Sequence, residues 1–289
     1  MPFATHGQGR SQENRLISLA YRVLLIYPHS YQAGERLIAR ILKNVGVLAT
    51  VALFAAACSP QTDDPICIAY TRHELRVCAA GPTVQGIDVS KWQQYVDWDL
   101  VKGAGKVFAI ARSSDGLNTN DMYFERNWNE MRRVGLIRGV YQYFRASQDP
   151  IRQANFLLDK VRDAGGFVPG DFPAVLDLET KDGQEVSVVV ARAKKWLEHI
   201  ERETGVRPIV YTANFMSSVV GTNFSAYPLW VANYTTSCPL MPTGWTNWIM
   251  WQNSGYGSVP GVTGNCDTND FNGTLADLRA FVGLDADGG

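Results

Sequence analysis

From residue 83 onward the hydrophobic pattern switches repeatedly between two periods, and that rhythm restricts the fold more than any single motif does. Short apolar runs stand at "VQGIDVS" (84–90), "VFAIARSS" (107–114), "RGVYQYF" (138–144) and "PAVLDLE" (173–179). Four more follow at "RPIVYTA" (207–213), "PLWVANY" (228–234), "WIMWQNS" (248–254) and "GNCDTNDF" (264–271). Helical periodicity fills the earlier gaps. "YFERNWNEMRRVG" runs to Gly135, "DPIRQANFLLDKVRDAGG" opens on a capping Asp149 with Pro150 at the first helical position, and "VSVVVARAKKWLEHIERETG" stops at Gly205. Strand and helix in alternation mean parallel βαβ units, and eight strands predict a closed α/β barrel of the (β/α) type. The last three connections are too short for full crossover helices, so the barrel is expected to be irregular, with reduced helices after the later strands. A helix at "LADLRAFVG" ends it.

Composition restricts the chemistry. The 289 residues are 46% hydrophobic and 19% charged, ordinary for a folded globular chain. Only four histidines occur, His6, His29, His73 and His199, and the first three precede the barrel. A Ser-His-Asp triad or a histidine-rich zinc site has almost no raw material, and G-x-S-x-G, H-E-x-x-H and the P-loop are all missing. No metal or cofactor is expected. Catalysis must rest on carboxylates and aromatics.

The stretch "FPAVLDLETKDG" (172–183) supplies such carboxylates. An apolar strand ends in Asp177 and Glu179, whose side chains share a face roughly 7 Å apart along the chain. The bland reading is a strand running out into a polar turn. Barrel architecture favours another, because active sites of such barrels lie at the C-terminal ends of the strands. Asp88 ends the first strand, and Asp267 lies in the eighth, adjacent to the first once the barrel closes. Tyr141, Tyr211, Trp230, Tyr234 and Trp251 stand at the same ends. Each alone is more often core than ligand platform; beside paired acids, aromatic faces point to a carbohydrate site.

The N-terminal part reads as an address. Arg36, Arg40 and Lys43 precede "VGVLATVALFAAAC", an apolar run too short for a membrane span of about 20 residues and matching a secretory signal. Its "AAAC" ending resembles a bacterial lipoprotein signal, with Ala55 where Leu is usual and with Cys58 as the lipidated new N-terminus. An ordinary signal peptide or uncleaved anchor is the alternative. The expected organisation is an extension and signal over 1–58, a linker over 59–82 and the barrel over 83–289. Removing residues 1–58 takes six of 27 Lys/Arg and two of 28 Asp/Glu, leaving 21 and 26, a net charge of −5. That balance argues against a nucleic-acid partner. Setting Cys58 aside, four cysteines remain. The expected bridges are Cys67–Cys78 and Cys238–Cys266, with free buried thiols as the alternative.

Taken together, "GIDVSKWQ", "DW" (97–98), "FAIARSSDG", "GVYQYF", "PAVLDLE", "PIVYTA", "LWVANY", "WIMWQN" and "CDTNDF" resemble the glycoside hydrolase family 25 lysozymes, over roughly residues 83–283. The resemblance implies an N-acetylmuramidase that cleaves the β-1,4 bond after N-acetylmuramic acid in peptidoglycan. It places the general acid on Glu179 and the other active-site aspartates on Asp88, Asp177 and Asp267. Gln252 joins Tyr141, Tyr211, Trp230 and Tyr234 as a candidate substrate contact. Gln142 departs from the family, many of whose members have His after the Tyr. Substrate-assisted retention is the mechanism preferred by analogy. The expected partner is the peptidoglycan glycan strand, met by a monomer exported to the cell envelope or secreted. A non-catalytic peptidoglycan-binding lipoprotein and a glycosidase on a chitin-like polymer are the alternatives. A deacetylase would need metal-binding histidines.

Intact-mass analysis of membrane-extracted protein is expected to show a mature chain that begins at a lipid-bearing Cys58. A chain that begins elsewhere, or an unmodified Cys58, rules the anchor out.

Overall fold

The computed structural model describes residues 75–284. Its strands are β1 (Thr83–Val89), β2 (Phe108–Asp115), β3 (Thr119–Asn120), β4 (Ile137–Tyr143), β5 (Val175–Asp177), β6 (Ile209–Ala213), β7 (Leu229–Ala232), β8 (Met250–Gly257) and β9 (Cys266–Asn272). They form one sheet in the order β1-β9-β8-β7-β6-β5-β4-β2-β3, and β1 also pairs with β2. Eight strands thus close into a barrel, while the two-residue β3 is a hairpin arm on β2. The barrel strands run parallel except β9, which is antiparallel to both β8 and β1.

Each of the eight expected runs forms a barrel strand. The helices are α1 (Trp98–Gly103), α2 (Phe124–Arg133), α3 (Pro150–Asp163), α4 (Val186–Thr204), α5 (Ser217–Val220) and α6 (Leu275–Phe281). Local signals start and stop them. Asp149 accepts from the Arg152 N–H at 2.9 Å to cap α3, Thr274 and Asp277 make a capping box on α6, and Gly205 ends α4 at φ 70°. The later connections are reduced as expected: only α5 and a 3-10 turn separate β6 from β7, no helix joins β7 to β8, and β8 returns directly to β9. The six-residue α1 and β3 are too short to have left a periodic signal.

Alternation along the strands builds two layers. Outward positions such as Ile87, Ala109, Val140, Leu176, Val210 and Val231 pack against helical Trp128, Leu157, Trp196 and Ile200. Inward positions at the lower end are apolar, with Phe108, Ile110, Val175, Ile209, Met250 and Phe271 filling the barrel over Leu278 and Val282. Strands buried on both faces explain the near-continuous apolar runs. At Gly86 an added Cβ would lie 2.4 Å from the Phe108 ring, so only glycine leaves that ring its place in the lumen.

Two expectations about the cysteines are overturned. Cys78 is bonded to Cys238, with their Cα atoms 4.5 Å apart, and Cys266 is a free, fully buried thiol. Residues 75–80, read as linker, lie along the β7–β8 connection. The Val77 N–H donates to Pro239 O at 3.2 Å and the Met241 N–H to Leu75 O at 2.8 Å, which brings Cys78 beside Cys238. Cys266 opens β9 and packs among the apolar side chains of the outer layer instead. The proposed partner Cys67, like Cys58, lies outside the described residues.

The Cys78–Cys238 bond closes a separation of 160 residues. Its removal by Cys78→Ser with Cys238→Ser is expected to cost about 2–5 kcal/mol, read as a lowered melting temperature. Peptide mapping without reduction should recover this pair, and a Cys238–Cys266 peptide would refute it.

Candidate active site

Two residues further along the same inward faces, the lumen turns polar. Ile110 is followed by Arg112, Val175 by Asp177, Ile209 by Tyr211 and Met250 by Gln252; on β9 the sequence reverses, Phe271 being preceded by Asn269 and Asp267. Because β9 runs antiparallel, its beginning lies level with the ends of the parallel strands, and Asp267 pairs directly with Asp88. The result is a pocket of about 210 Å³ at the mouth of the barrel.

All nine proposed catalytic and substrate-contacting residues line it: Asp88, Asp177, Glu179 and Asp267 with Tyr141, Tyr211, Trp230, Tyr234 and Gln252. Strand β5 ends at Asp177, so Glu179 stands on the loop just beyond. Arg145 ties that loop down. It chelates Asp115 at 2.5 and 2.8 Å, reaches Asp182 at 3.5 Å and lies 4.6 Å over the Tyr143 ring. Asp182, at φ 52°, also accepts from the Ser147 N–H at 2.9 Å.

Asp88 is the most heavily bonded of the acids. Its Oδ2 accepts from Gln252 Nε2 at 2.9 Å and from Asn269 Nδ2 at 2.8 Å. Gln252 Oε1 in turn accepts the hydroxyls of Tyr211 at 2.7 Å and Tyr234 at 3.0 Å, while Trp230 Nε1 donates to Asn269 Oδ1 at 2.8 Å. The polar heads of these residues are therefore committed to one network, which leaves the aromatic faces as the surfaces a sugar could meet. Gly255 fits against it, since a Cβ there would stand 3.1 Å from Tyr234 and 3.2 Å from Asp267.

Burial raises all four carboxyls. It acts on Asp88 together with the Asp267 charge, opposed by the two amides, and on Asp177 together with Glu179. Glu179 is raised by burial, with Asp177 and Tyr211 opposing, and Asp267 is pushed up to about 6 by burial and Glu179. Two adjacent buried carboxyls cannot both ionise cheaply, so Asp177 and Glu179 titrate as a coupled pair, both raised above the ordinary carboxyl range. Asp177 Oδ1 has no hydrogen-bond partner. A proton donor beside fixed negative charge suits acid-catalysed cleavage of a glycosidic bond. Among the described residues, no group of three or more His, Cys, Asp or Glu is placed to hold a metal.

Two residues fall elsewhere. Trp251 was expected at the mouth, but it alternates with Gln252 and so faces outward. There it packs on Trp248 at 6.0 Å and donates to Asn233 O at 2.7 Å. Gln142 also faces outward, donating to Ser114 Oγ at 2.8 Å and accepting from Trp196 Nε1 at 2.7 Å. The departure from the family pattern there is a matter of packing behind the site. Arg112, Tyr143, Trp92 and Asn269 were not singled out from the sequence. Period-two alternation from Ile110 and Asp267 is the signal that finds Arg112 and Asn269.

Paired buried acids among aromatic walls, at the mouth of an eight-stranded barrel, define a carboxylate-based glycosidase. Residues 87–262 match the family described as Glycosyl hydrolases family 25. Lysozyme M1 of Streptomyces globisporus is 32% identical over 212 residues, which cover 69% of this chain and 71% of that one. The uncharacterized protein YegX of Escherichia coli K12 is 39% identical over 209 residues, 70% of this chain and 75% of its own. The crystal structure of the bacterial lysozyme from Streptomyces coelicolor is similar with a TM-score of 0.65 and 31% identity, over 70% of this chain and 98% of that one. The chain belongs to glycosyl hydrolases family 25.

Asp267 keeps a proton in the folded state up to about pH 6, but releases it near pH 4 when unfolded. Its contribution to stability therefore falls as pH rises through that window. Calorimetry of Asp267→Asn is expected to show a raised melting temperature at pH 7.5 and little change at pH 4. An equal shift at both, or a drop at pH 7.5, contradicts the assignment.

Proposed function

We propose that this chain is an N-acetylmuramidase that hydrolyses the β-1,4 bond between N-acetylmuramic acid and N-acetylglucosamine in peptidoglycan. The observation that carries the reading is the convergence of four carboxyls in one pocket, all of them raised by burial. The lysozyme names of two of the similar proteins support the substrate class.

In this reading Glu179 gives its proton to the leaving glycosidic oxygen as the C1–O bond breaks. Asp177, Asp88 and Asp267 supply the negative field that favours the oxocarbenium-like transition state. The unpartnered Asp177 Oδ1 suits the N–H of the substrate's acetamido group, which favours substrate-assisted retention over an enzyme nucleophile. Tyr211 and Trp230, 4.7 Å apart and edge-on, form one wall for the sugar ring, and Tyr141 and Tyr234 stand nearby. The protein acts as a monomer outside the cytoplasm, held to the envelope through Cys58.

Digestion of purified peptidoglycan with mass analysis of the new reducing ends tests the reading: muramic acid ends are expected, and glucosamine ends overturn it. Glu179→Gln keeps the shape but cannot donate the proton, so release of soluble muropeptides should fall by about 10²–10⁴-fold. Asp177→Asn should also cripple turnover. Both variants should fold, because losing one of several crowded carboxylates relieves repulsion. A Glu179→Gln protein with unaltered activity would end the assignment.

A further inference from the structure

The reaction needs the proton on Glu179 and a charge on Asp177, yet Asp177 is the more deeply buried of the two and is raised by that burial. Something must hold Asp177 ionised. Around the pocket Asp88 faces it from β1, Glu179 from the loop beyond β5 and Asp267 from β9, all of like sign. Tyr141 and Tyr143 of β4 and Tyr211 of β6 are phenols that burial keeps neutral. Among the residues lining the pocket the one cation is Arg112 of β2.

The placement of Arg112 is fixed. Its side chain is 9% exposed, and its Nε donates to Asp121 Oδ2 at 3.2 Å. Asp121 is 1% exposed and is itself pinned by the backbone N–H groups of Lys91 at 2.7 Å and Tyr123 at 3.2 Å. One edge of the guanidinium is thereby anchored to the loop after β1. Nη2, on the same edge as Nε, is buried and has no hydrogen-bond partner, and neither has Asp177 Oδ1. A guanidinium nitrogen and a carboxyl oxygen, neither of them hydrogen-bonded, thus belong to two residues that border one pocket of low dielectric, where a fixed charge acts over longer distances than in water.

We propose that Arg112 is a positioning residue for the catalytic proton: its fixed guanidinium keeps Asp177 ionised, so that Glu179 carries the proton of the pair. This rests on Glu179 as the acid, as proposed above. Burial, the charge and hydrogen bond of Glu179 and the Asp88 charge raise Asp177, and Arg112 is the group that opposes them, whereas Glu179 is raised by burial and opposed by Asp177 and Tyr211. A cation that favours the charged form of Asp177 biases the proton of the pair towards Glu179.

The test is a carboxyl ¹³C NMR titration of the substrate-free protein, with Asp177→Asn to assign the signal, beside the pH profile of kcat/KM on soluble glycan oligomers. Arg112→Gln is expected to move the Asp177 ionisation up by about one pH unit, equivalent to about tenfold in its proton affinity. The acidic limb of kcat/KM should move the same way, and KM should change little. Arg112→Lys, which keeps the charge, should restore both readouts. If Arg112→Gln does not fold, Arg112→Gln with Asp121→Asn removes the ion pair as a unit and takes its place. An Asp177 signal that titrates as in the unaltered protein, or an Arg112→Lys variant that behaves like Arg112→Gln, overturns the proposal. The NMR readout needs no turnover, so a protein inert on peptidoglycan would sink the muramidase reading and leave this test standing.

Discussion

The antiparallel pairing of β9 with β1 closes the barrel, and the rest of the site depends on it. It sets Asp267 opposite Asp88, two like charges at a distance where a cross-strand pair is ordinarily destabilising. The same two strands and β8 supply what offsets this. Asn269 stands two residues beyond Asp267 on the same inward face, and Gln252 approaches from β8, each donating to Asp88. Closure and the acid cluster are therefore one feature. A parallel eighth strand would have put its C-terminal end and Phe271 at the mouth, with Asp267 at the floor near Phe108.

A comparison with the other buried acid–base pair shows what a purely structural charge looks like here. Near the start of β4, Arg138 grips Asp171 at 2.8 and 3.0 Å, donates to Trp128 O at 3.0 Å and Gly166 O at 3.2 Å, and lies 3.8 Å over the Trp128 ring. Every direction of that guanidinium is used, and Asp171 also caps the Val168 N–H at 2.9 Å. Such a pair locks a turn and has nothing left over. Arg112 and Asp177 are also buried, and each keeps an atom without a partner, as does Trp128 Nε1 beneath Arg138. What sets Arg112 and Asp177 apart from Trp128 is that their unpartnered atoms belong to residues lining the pocket.

Much of this was legible in the sequence, because the physics involved is local and periodic. Inward and outward faces alternate with period two, so the ends of the apolar runs located Asp88, Asp177 and Tyr211 at one mouth. What was illegible depended on direction and on distant contacts. Nothing in "GNCDTNDF" announces that the strand runs backwards, although the short turn before it permits a hairpin. Trp251 was placed at the mouth by its position in the run, when its parity with Gln252 already turned it outward. Disulfide pairing by nearness along the chain failed for the same reason that loop entropy is a weak guide. The contact that decided it, residues 75–80 against 238–241, spans most of the chain.

That contact also explains how a barrel with missing helices stays closed. Between β7 and β8 the crossover helix of an ordinary βαβ unit is replaced by an irregular connection, which begins with Tyr234 of the pocket. The segment before β1 takes over the covering role. Val77 and Ala79 pack on the outer core, and Trp248 Nε1 donates to Val77 O at 2.7 Å. Arg76 reaches Cys238 O at 2.8 Å, and the disulfide fixes the two segments covalently. Inside the connection, Asn233 accepts from the Leu240 N–H at 3.0 Å through its side chain and from Trp251 Nε1 through its carbonyl. Tyr234 is therefore held from behind by its neighbour while its hydroxyl is held by Gln252. The Tyr234–Gln252–Asp88 hydrogen-bond chain links the connection directly to a carboxyl of the pocket. Residues 75–80, which precede the barrel in sequence, are thus an outer support of the pocket wall.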